Sequence, residues 1–344
     1  MNLQHQIGRT QVRVPPLGFG AAVIGNLYIP IDEQTACEAV LAALAGGLTY
    51  FDTAPHYGFG LSESRIGAAL SEADAAQTAI VSTKVGRLLV PVAEELASAE
   101  RHGFVNAAPY EPLFDYGYDA VLRSFEGSCA RLRRERIDIL YVHDLGRVTH
   151  GGDHERQFAS FMNGGYRAMR ELRDAGSVGA IGIGANEWKV CEEAMGAGEF
   201  DLFLLAGRYT LLEQSALESF LPECGRRNIS VVVGGPYNSG ILAQGTGSGG
   251  TLHYNYAPAP PEIVHRVRRL EDVCQRHGVP LAAAALQFPL RHPQVAAVIP
   301  GLGSAAQVQD TCALYQTWIP DALWSELKHA GLLHPDAPVG ELAQ

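Results

Sequence analysis

Short apolar runs alternate along the chain with longer stretches whose apolar residues recur at helical spacing. The runs are apolar throughout rather than at every second position, which is typical of parallel strands that are buried on both faces. Eight strands are predicted on this basis: 16–23, 48–54, 78–85, 137–144, 178–185, 200–207, 229–236 and 295–301. Helices are predicted between them at 33–46, 62–72, 118–134, 155–175, 187–197, 213–227 and 261–277.

Eight strand–helix units predict an α/β fold, the closed (β/α)8 TIM barrel. The 344 residues are enough, because such barrels use about 250 residues plus insertions. A doubly wound open sheet is the alternative that the strand pattern leaves open. The segment "IGRTQVRVPP" predicts a short N-terminal hairpin that closes the bottom of the barrel. No shift in composition marks a boundary, so we expect a single domain over 1–344.

Long connections follow three of the predicted strands, at 86–117, 145–154 and 237–260. In a barrel these loops lie on the C-terminal face, where barrel enzymes carry their active sites. Loops of this length usually bind ligands or close over them. The third loop contains "GTGSGG" (245–250), which has the spacing of a dinucleotide fingerprint but is not followed by a helix. We therefore predict an ordinary loop there.

Composition excludes several classes of partner. The net charge is −11 without a basic cluster, which argues against nucleic acid. The N-terminus lacks the apolar core of a signal peptide, and no apolar run reaches the roughly 18–20 residues that span a bilayer. The six cysteines are scattered singly, and the histidines of "HGGDH" (150–154) stand in a polar loop, so no metal site is expected. We expect a cytoplasmic protein that acts on a small molecule.

Polar side chains stand at the ends of three consecutive predicted strands. Asp52 closes the second strand, Lys84 the third and His143 the fourth, and Tyr57 follows the second strand after a short turn. Because the carboxyl ends of parallel barrel strands meet on one face, we expect the four side chains to converge. Taken singly, each has an ordinary structural alternative, as a capping aspartate, a surface lysine or a core histidine.

Together the four side chains make a proton donor or acceptor whose pKa is adjusted by the neighbouring charges. A tyrosine has a pKa of about 10, and a nearby ammonium group should lower the pKa of Tyr57. A buried lysine keeps its charge when a carboxylate lies beside it, which Asp52 would supply. A neutral His143 would hydrogen-bond the reacting oxygen. Proton transfer of this kind is the half-reaction that accompanies a hydride transfer.

Four motifs, in their order and spacing, resemble the aldo-keto reductase superfamily: "FDTAPHYG", "VSTKVG", "DILYVHD" and "GAIGIGANEW". The similarity extends from the first predicted strand to about residue 315. The family's tetrad of aspartate, tyrosine, lysine and histidine would fall on Asp52, Tyr57, Lys84 and His143. The resemblance implies that Tyr57 is the acid/base.

The resemblance also implies a nicotinamide dinucleotide cofactor. Asn186 would bond the nicotinamide carboxamide, and "GPYNSG" (235–240) would take the place of the pyrophosphate loop. The cofactor contacts expected in this way are Gly20, Asn186, Tyr209, Gly235, Pro236, Tyr237, Asn238, Gly240, Gly301 and Gln307. The aromatic ring that commonly stacks under the nicotinamide would fall at Gly234. Tyr209 or Tyr237 would have to supply that surface instead.

The segment after the last strand predicts which dinucleotide is used. Family members that use NADPH commonly carry a lysine and an arginine there, gripping the 2′-phosphate. The matching segment, 300–311, contains neither, and Gln307 stands at the arginine position. Phosphate contacts are charge-assisted, so a phosphate without cationic partners binds poorly. The predicted cofactor is NAD.

NAD use favours oxidation, and "VHDLG" and "LLAGRYTLLEQ" are most similar to NAD-dependent aldose 1-dehydrogenases. The expected reaction is oxidation of an L-fucose, L-galactose or D-threo-aldose type of sugar at C1 to the lactone. The alternatives are a pyridoxal 4-dehydrogenase that forms pyridoxolactone, an NADPH-dependent aldehyde or ketone reductase, and a non-catalytic binding protein on the same barrel. Aromatic residues in 104–118 and 253–256, with Arg147, Arg208 and Trp188, either contact the substrate or pack the loops.

Overall fold

Eight parallel strands, adjacent in chain order, form the central sheet of the computed structural model, which describes residues 3–76, 78–95, 100–247 and 249–340. They are β1 (Phe19–Gly20), β2 (Tyr50–Asp52), β3 (Ile80–Val85), β4 (Ile137–His143), β5 (Val178–Ala185), β6 (Leu202–Ala206), β7 (Ser230–Gly234) and β8 (Val295–Ile299). Parallel bridges from Leu17 to Val298 and from Gly20 to Gly301 join the first strand to the last and close the sheet. The predicted (β/α)8 barrel is confirmed, and every predicted strand is present.

Buried side chains fill the barrel from within and cover it from outside. Tyr50, Ile139, Leu202 and Val232 belong to the cluster inside the barrel, while Phe51 and the other outward residues pack against the helices. The predicted N-terminal hairpin is also present, pairing strands His5–Gln6 and Arg13–Val14. Its residues Ile7, Val12 and Val14 join the inner cluster and close the barrel at the bottom. Apolar residues on both faces of each strand are the physical reason for the continuous apolar runs.

The longer α-helices are Glu33–Ala45, Leu61–Glu72, Tyr118–Leu132, His154–Ser160, Tyr166–Asp174, Lys189–Ala197, Phe220–Arg227, Pro261–Arg276, Leu281–Gln287, Ala305–Gln316 and Asp321–His329. The 3₁₀ turns are Val23–Gly25, Tyr57–Gly60, Gly151–Asp153, Ser215–Leu217 and Pro289–Arg291. A π-helical turn at Phe161–Gly165, which contains two adjacent glycines, interrupts the helix predicted over 155–175. No helix in the described ranges is both long and apolar enough to cross a membrane.

The three long connections carry small elements of their own and surround the C-terminal mouth. The first folds into an antiparallel hairpin of Arg87–Pro91 and Tyr110–Phe114, and the second contains the helical turn Arg147–His150. The third contains the helical turn Ile241–Gln244 and a minimal ladder of His253–Tyr254 with Ala257–Pro258. The described part of "GTGSGG" is non-helical, as predicted, and residue 248 lies outside the described residues.

Candidate active site

An ion pair joins the ends of β2 and β3. Lys84 Nζ lies 2.7 Å from Asp52 Oδ2, and both side chains are buried. Lys84 also donates to the Thr53 carbonyl oxygen at 2.8 Å, and Ser82 Oγ donates to Asp52 Oδ1 at 2.6 Å. Burial alone would lower the pKa of Lys84, but Asp52 and Tyr57 outweigh it, so that pKa is raised. The lysine is therefore held as an ammonium group, as its pairing with aspartate predicted.

Tyr57 enters the mouth from the turn that follows β2. It begins the 3₁₀ turn Tyr57–Gly60, and the ammonium nitrogen of Lys84 lies 4.7 Å from the centroid of its ring. This turn requires glycine at Gly58, because φ is +64° there and a Cβ would come 2.3 Å from the Gly25 carbonyl oxygen. The local sequence "HYGFG" therefore fixes the tyrosine beside the lysine.

The pKa of Tyr57 is raised above its usual value, because burial outweighs the lowering effect of Lys84 that the sequence predicted. Burial raises this pKa most, Lys84 lowers it, and the Asp52 carboxylate raises it again. The prediction included the ammonium group but omitted the loss of water around the phenol. In the free protein the phenol keeps its proton at neutral pH, and Lys84 reduces the cost of removing it.

His143 ends β4 and meets Tyr57 edge-on, with ring centroids 5.9 Å apart and ring planes at 86°. Burial, followed by the charges of Arg87 and Lys84, holds the pKa of His143 well below its usual value. The imidazole is therefore neutral, as predicted. Its Nδ1 has no hydrogen-bond partner among the described residues, and its Nε2 lies 3.5 Å from an Asp144 carboxylate oxygen. A neutral imidazole in this position can donate one hydrogen bond to an oxygen in the mouth.

A second ion pair, absent from the sequence predictions, lies beside His143. Arg87, which follows β3, pairs with Asp144, which follows β4. Arg87 Nη1 lies 3.1 Å from His56 Nε2, and Asn186 Nδ2 donates to Asp144 Oδ1 at 3.3 Å. Burial, then the charge of Arg87, lowers the pKa of His56 to about 2. These residues adjoin the predicted ones in sequence, so a search one to three positions further along each strand end would have found them.

The predicted pyrophosphate loop turns sharply after β7. Positive φ angles occur at Gly235, Asn238, Ser239 and Gly240. The Asn238 side chain accepts a hydrogen bond from Thr210 Oγ1 at 2.6 Å and donates to the Gly207 carbonyl oxygen at 3.1 Å. Pro236 is buried beside it. The Asn238 side chain thus fastens the loop to the segment after β6, and a contact of this residue with the cofactor stays a prediction.

Gly234, the last residue of β7, leaves the expected stacking position without a ring. A Cβ there would lie 3.3 Å from Leu204 Cδ2, so the neighbouring surface is apolar. Tyr209 is fully buried, with its ring centroid 5.2 Å from that of Phe288. Tyr209 therefore has no exposed surface in this conformation, and its contact with the cofactor stays a prediction. Tyr237 packs half-buried against the same core and is the remaining candidate.

Gly20 and Gly301 lie opposite each other where β1 meets the segment after β8. A Cβ at Gly20 would come 2.7 Å from the Pro300 carbonyl oxygen. Close approach of the two backbones is thus a sufficient reason for glycine at position 20, independent of any cofactor. Gly301 is exposed at the mouth, where its backbone is accessible to a ligand.

The helix after β8, Ala305–Gln316, contains no lysine or arginine. Ser304 caps Ala305–Gln316 by accepting a hydrogen bond from the Gln307 amide at 3.3 Å. The Gln307 side-chain oxygen accepts from the Gly303 amide at 2.8 Å, and its exposed end has no charge to offer. The positive end of a helix suits a pyrophosphate. With Asn186 across the mouth, these residues fit a nicotinamide dinucleotide.

Arg208 braces Asn186 from the segment after β6. Its Nε donates to the Asn186 carbonyl oxygen, and its Nη1 lies 3.5 Å from Glu213 Oε1. The hydroxyl of Tyr254 donates to the same Glu213 oxygen. The third long loop is thereby connected to Asn186 through Glu213 and Arg208. Arg208 therefore helps to hold Asn186 in place.

The other polar candidates are engaged by neighbouring side chains. Arg147 forms an exposed ion pair with Glu155, and Trp188 Nε1 donates to Ser215 Oγ at 3.1 Å. Polar groups of "HGGDH" (150–154) are occupied by neighbouring side chains. Within the described ranges, no group of three or more His, Cys, Asp and Glu side chains is placed to hold a metal ion.

Exposed apolar side chains surround the mouth. In the part of the chain that the structure describes, the large ones are Tyr28, Ile29, Tyr110, Leu113, Phe114, Val148, Tyr256 and Trp318. All except Trp318 lie on connections after β1, β3, β4 and β7. Tyr256 is 64% exposed, yet burial of its hydroxyl raises its pKa to about 12, with smaller effects from Tyr57 and Asp144. This rim offers aromatic and aliphatic surface to a substrate ring.

Comparison with protein families identifies the chain. The model of the aldo/keto reductase family matches residues 16–331, which cover all eight barrel strands. The chain belongs to the aldo/keto reductase family. It is therefore an oxidoreductase of the kind that uses a nicotinamide cofactor, as the four motifs had indicated.

Curated relatives narrow the comparison within the family. The chain is 42% identical over 336 residues to a pyridoxal 4-dehydrogenase of Microbacterium luteolum, covering 95% of this chain and 97% of the relative. It is 37% identical over 322 residues to a D-threo-aldose 1-dehydrogenase of a Pseudomonas species, covering 93% and 95%. The holo form of an aldo-keto reductase from Bacillus halodurans superposes with a TM-score of 0.73 at 25% identity, covering 98% of each chain.

Proposed function

We propose that this aldo/keto reductase is an NAD-dependent dehydrogenase that oxidises the hemiacetal carbon of a ring-closed substrate to a lactone. An aldose of the L-fucose, L-galactose or D-threo type, oxidised at C1, is the substrate class that the sequence favours. The observation that carries the proposal is the convergence of Tyr57, the Lys84–Asp52 ion pair and neutral His143 at one end of the barrel. Such a group can move one proton between the protein and a substrate oxygen.

The side chains have separate roles in this proposal. When bound, NAD supplies the hydride acceptor. Tyr57 takes the proton of the hemiacetal hydroxyl while the hydrogen on the same carbon leaves as hydride, so that the C–O bond becomes the lactone carbonyl. Lys84, held protonated by Asp52, stabilises the phenolate form of Tyr57 that accepts this proton. His143 donates a hydrogen bond to the substrate oxygen, and Asn186 orients the nicotinamide carboxamide.

Pyridoxal is the second candidate substrate, and two observations favour it. The relative that is 42% identical over 95% of this chain is a pyridoxal 4-dehydrogenase. The apolar rim, with Tyr28 and Tyr256 58% and 64% exposed, also suits a flat aromatic ring. The chemistry is unchanged, because the internal hemiacetal of pyridoxal also oxidises to a lactone.

A substrate panel with product identification tests the function. Purified protein with NAD is incubated separately with L-fucose, L-galactose, D-arabinose and pyridoxal, and the product is identified by mass spectrometry before and after mild alkaline hydrolysis. A lactone that opens to the acid, formed together with an equal amount of NADH, supports the proposal. An open-chain carboxylic acid formed directly contradicts it. Reduction of aldehydes with NADPH, without oxidation of any of these substrates with NAD, also contradicts it.

The raised pKa of Tyr57 predicts how the rate depends on pH. Oxidation needs the deprotonated tyrosine, so log kcat/KM for oxidation should rise by about one for each pH unit while the phenol is mostly protonated. The reverse reduction needs the protonated form and should lose rate only in the alkaline range. Initial rates in both directions across a buffer series measure the two profiles. A flat oxidation profile from neutral to alkaline pH would remove Tyr57 as the titrating base.

The absence of lysine and arginine from 300–311 predicts the cofactor preference. The wild type should use NAD at least tenfold better than NADP in kcat/KM. Gln307→Arg should raise kcat/KM for NADP by about tenfold, because a charge-assisted contact to the 2′-phosphate is restored. Gln309→Arg adds the same charge to an exposed position of the same helix and serves as the control. A wild type that prefers NADP tenfold contradicts the assignment.

A further inference from the structure

The Arg87–Asp144 ion pair lies in the mouth but outside the tetrad. The side chains of Arg87 and Asp144 are only 14% and 10% exposed. Removing two charges from water costs several kcal/mol per ion, so a buried ion pair is weak evidence for stability. The pair lies beside His143 and Asn186 rather than in the core. Its position at the reacting end of the barrel requires another explanation.

The backbone at Asp144 adopts a left-handed conformation that its neighbours hold in place. Its φ is +50°, which aspartate and asparagine adopt more readily than other non-glycine residues. The Asp144 amide donates to the Gly184 carbonyl oxygen at 2.8 Å, and the Tyr116 hydroxyl donates to the Asp144 carbonyl oxygen at 3.1 Å. These contacts hold the residue in that conformation and so help to fix the position of its carboxylate.

The Asp144 carboxylate retains capacity to accept a further hydrogen bond. An ionised carboxylate has about four acceptor positions, and among the described residues Arg87 and Asn186 are the hydrogen-bond donors to it. Arg87 is itself held by stacking on Phe114, 4.6 Å from the ring centroid, and by its contact with His56. Arg87 donates to Oδ2 and Asn186 to Oδ1, so each oxygen has one donor and keeps a lone pair that can accept a further hydrogen bond.

The Asp144 carboxylate lies next to the nitrogen atom that would bind the reacting oxygen. One Asp144 oxygen lies 3.5 Å from His143 Nε2, the atom that would contact the oxygen undergoing oxidation. His143 in turn meets the Tyr57 ring edge-on, with ring centroids 5.9 Å apart. Tyr57 and Asp144 therefore both lie next to His143. The 3.5 Å between His143 Nε2 and the Asp144 oxygen suits a substrate with two oxygens on adjacent carbon atoms, or on carbon atoms separated by one other.

We propose that Asp144, oriented by Arg87, accepts a hydrogen bond from a substrate hydroxyl other than the reacting one, namely the hydroxyl nearest to the carbon that is oxidised. Asp144 thereby selects substrates that carry this second hydroxyl. The inference rests on the proposed function. Both candidate substrates carry such a hydroxyl, on C2 of an aldose and on the pyridine ring of pyridoxal. Asp144 is thus a specificity-determining residue that contacts the substrate next to the tetrad.

Matched substrates with and without that hydroxyl test the proposal. The pair is the sugar that is turned over and its 2-deoxy analogue, or pyridoxal and 3-deoxypyridoxal. The wild type should prefer the hydroxylated member by about ten- to a hundredfold in kcat/KM, the range for a hydrogen bond to a charged group. Asp144→Asn, which keeps the shape and tolerates positive φ, should reduce this preference severalfold. Asp144→Gly should bring it close to one.

Control variants distinguish a direct contact of Asp144 with the substrate from a role in supporting the active site. Asp153→Asn removes a carboxylate from an exposed pair with Arg156 and should leave the preference unchanged. NADH binding and thermal unfolding show whether each variant is folded. If Asp144→Asn lowers the rates of both substrates equally, Asp144 only supports His143 and Asn186, and the inference is overturned while the proposed function stands. A wild type that oxidises neither substrate class overturns the proposed function and this inference with it.

Discussion

Tyr57→Phe should lower kcat for oxidation by roughly a hundred- to ten-thousandfold, the usual contribution of a general acid or base. The variant loses one oxygen atom and keeps the ring that packs beside Lys84 and Phe104. Cofactor affinity should therefore stay within about twofold of the wild type. Initial rates of NADH formation give kcat, and quenching of protein fluorescence by NADH gives the Kd.

The matched control is Tyr110→Phe, which removes a hydroxyl from an exposed tyrosine of the Tyr110–Phe114 strand. It should leave kcat unchanged. Full turnover in Tyr57→Phe would take the proton-transfer role away from Tyr57. A large increase in the Kd for NADH would instead mean that the hydroxyl supports cofactor binding.

Lys84→Met should damage both the stability and the activity. It leaves the Asp52 carboxylate buried without its partner, which costs about 3–5 kcal/mol of the free energy of unfolding. The same change removes the ammonium group that stabilises the Tyr57 phenolate, so kcat should fall by at least a hundredfold. Urea unfolding and initial rates measure the two effects.

The double variant Lys84→Met, Asp52→Asn separates the two effects. Removing the unpaired charge should recover much of the free energy of unfolding, while kcat should stay at the level of the single variant. Arg156→Met, which breaks an exposed ion pair with Asp153, is the stability control and should leave the free energy of unfolding nearly unchanged. Recovery of kcat in the double variant would show that Lys84 acts only through stability.

The sequence predicted the barrel because its strands are apolar on both faces. β7, with Val231, Val232 and Val233, contributes side chains both to the inner cluster and to the core beneath the helices. A continuous apolar run is the only pattern that satisfies both faces. Leu281–Gln287 was missed for a related reason. Its alanines are buried on all sides, so the segment has no polar face to produce a helical period.

The tetrad was predictable because it depends on strand ends, whose convergence follows from topology. Side-chain direction was not predictable in the same way. Tyr209 turns into the core, and Asn238 bonds Thr210 rather than facing the mouth. The direction of the Tyr57 pKa shift also required the structure, because it depends on how much water the phenol loses.

The most direct test of the central claim is transfer of a labelled hydride. The substrate that is turned over is prepared with deuterium at the hemiacetal carbon and incubated with NAD. We predict that the NADH formed carries the deuterium in equal amount to the lactone produced, and that Tyr57→Phe slows the transfer without changing where the label goes. Unlabelled NADH, or deuterium retained in the substrate while NADPH reduces aldehydes, would contradict the account.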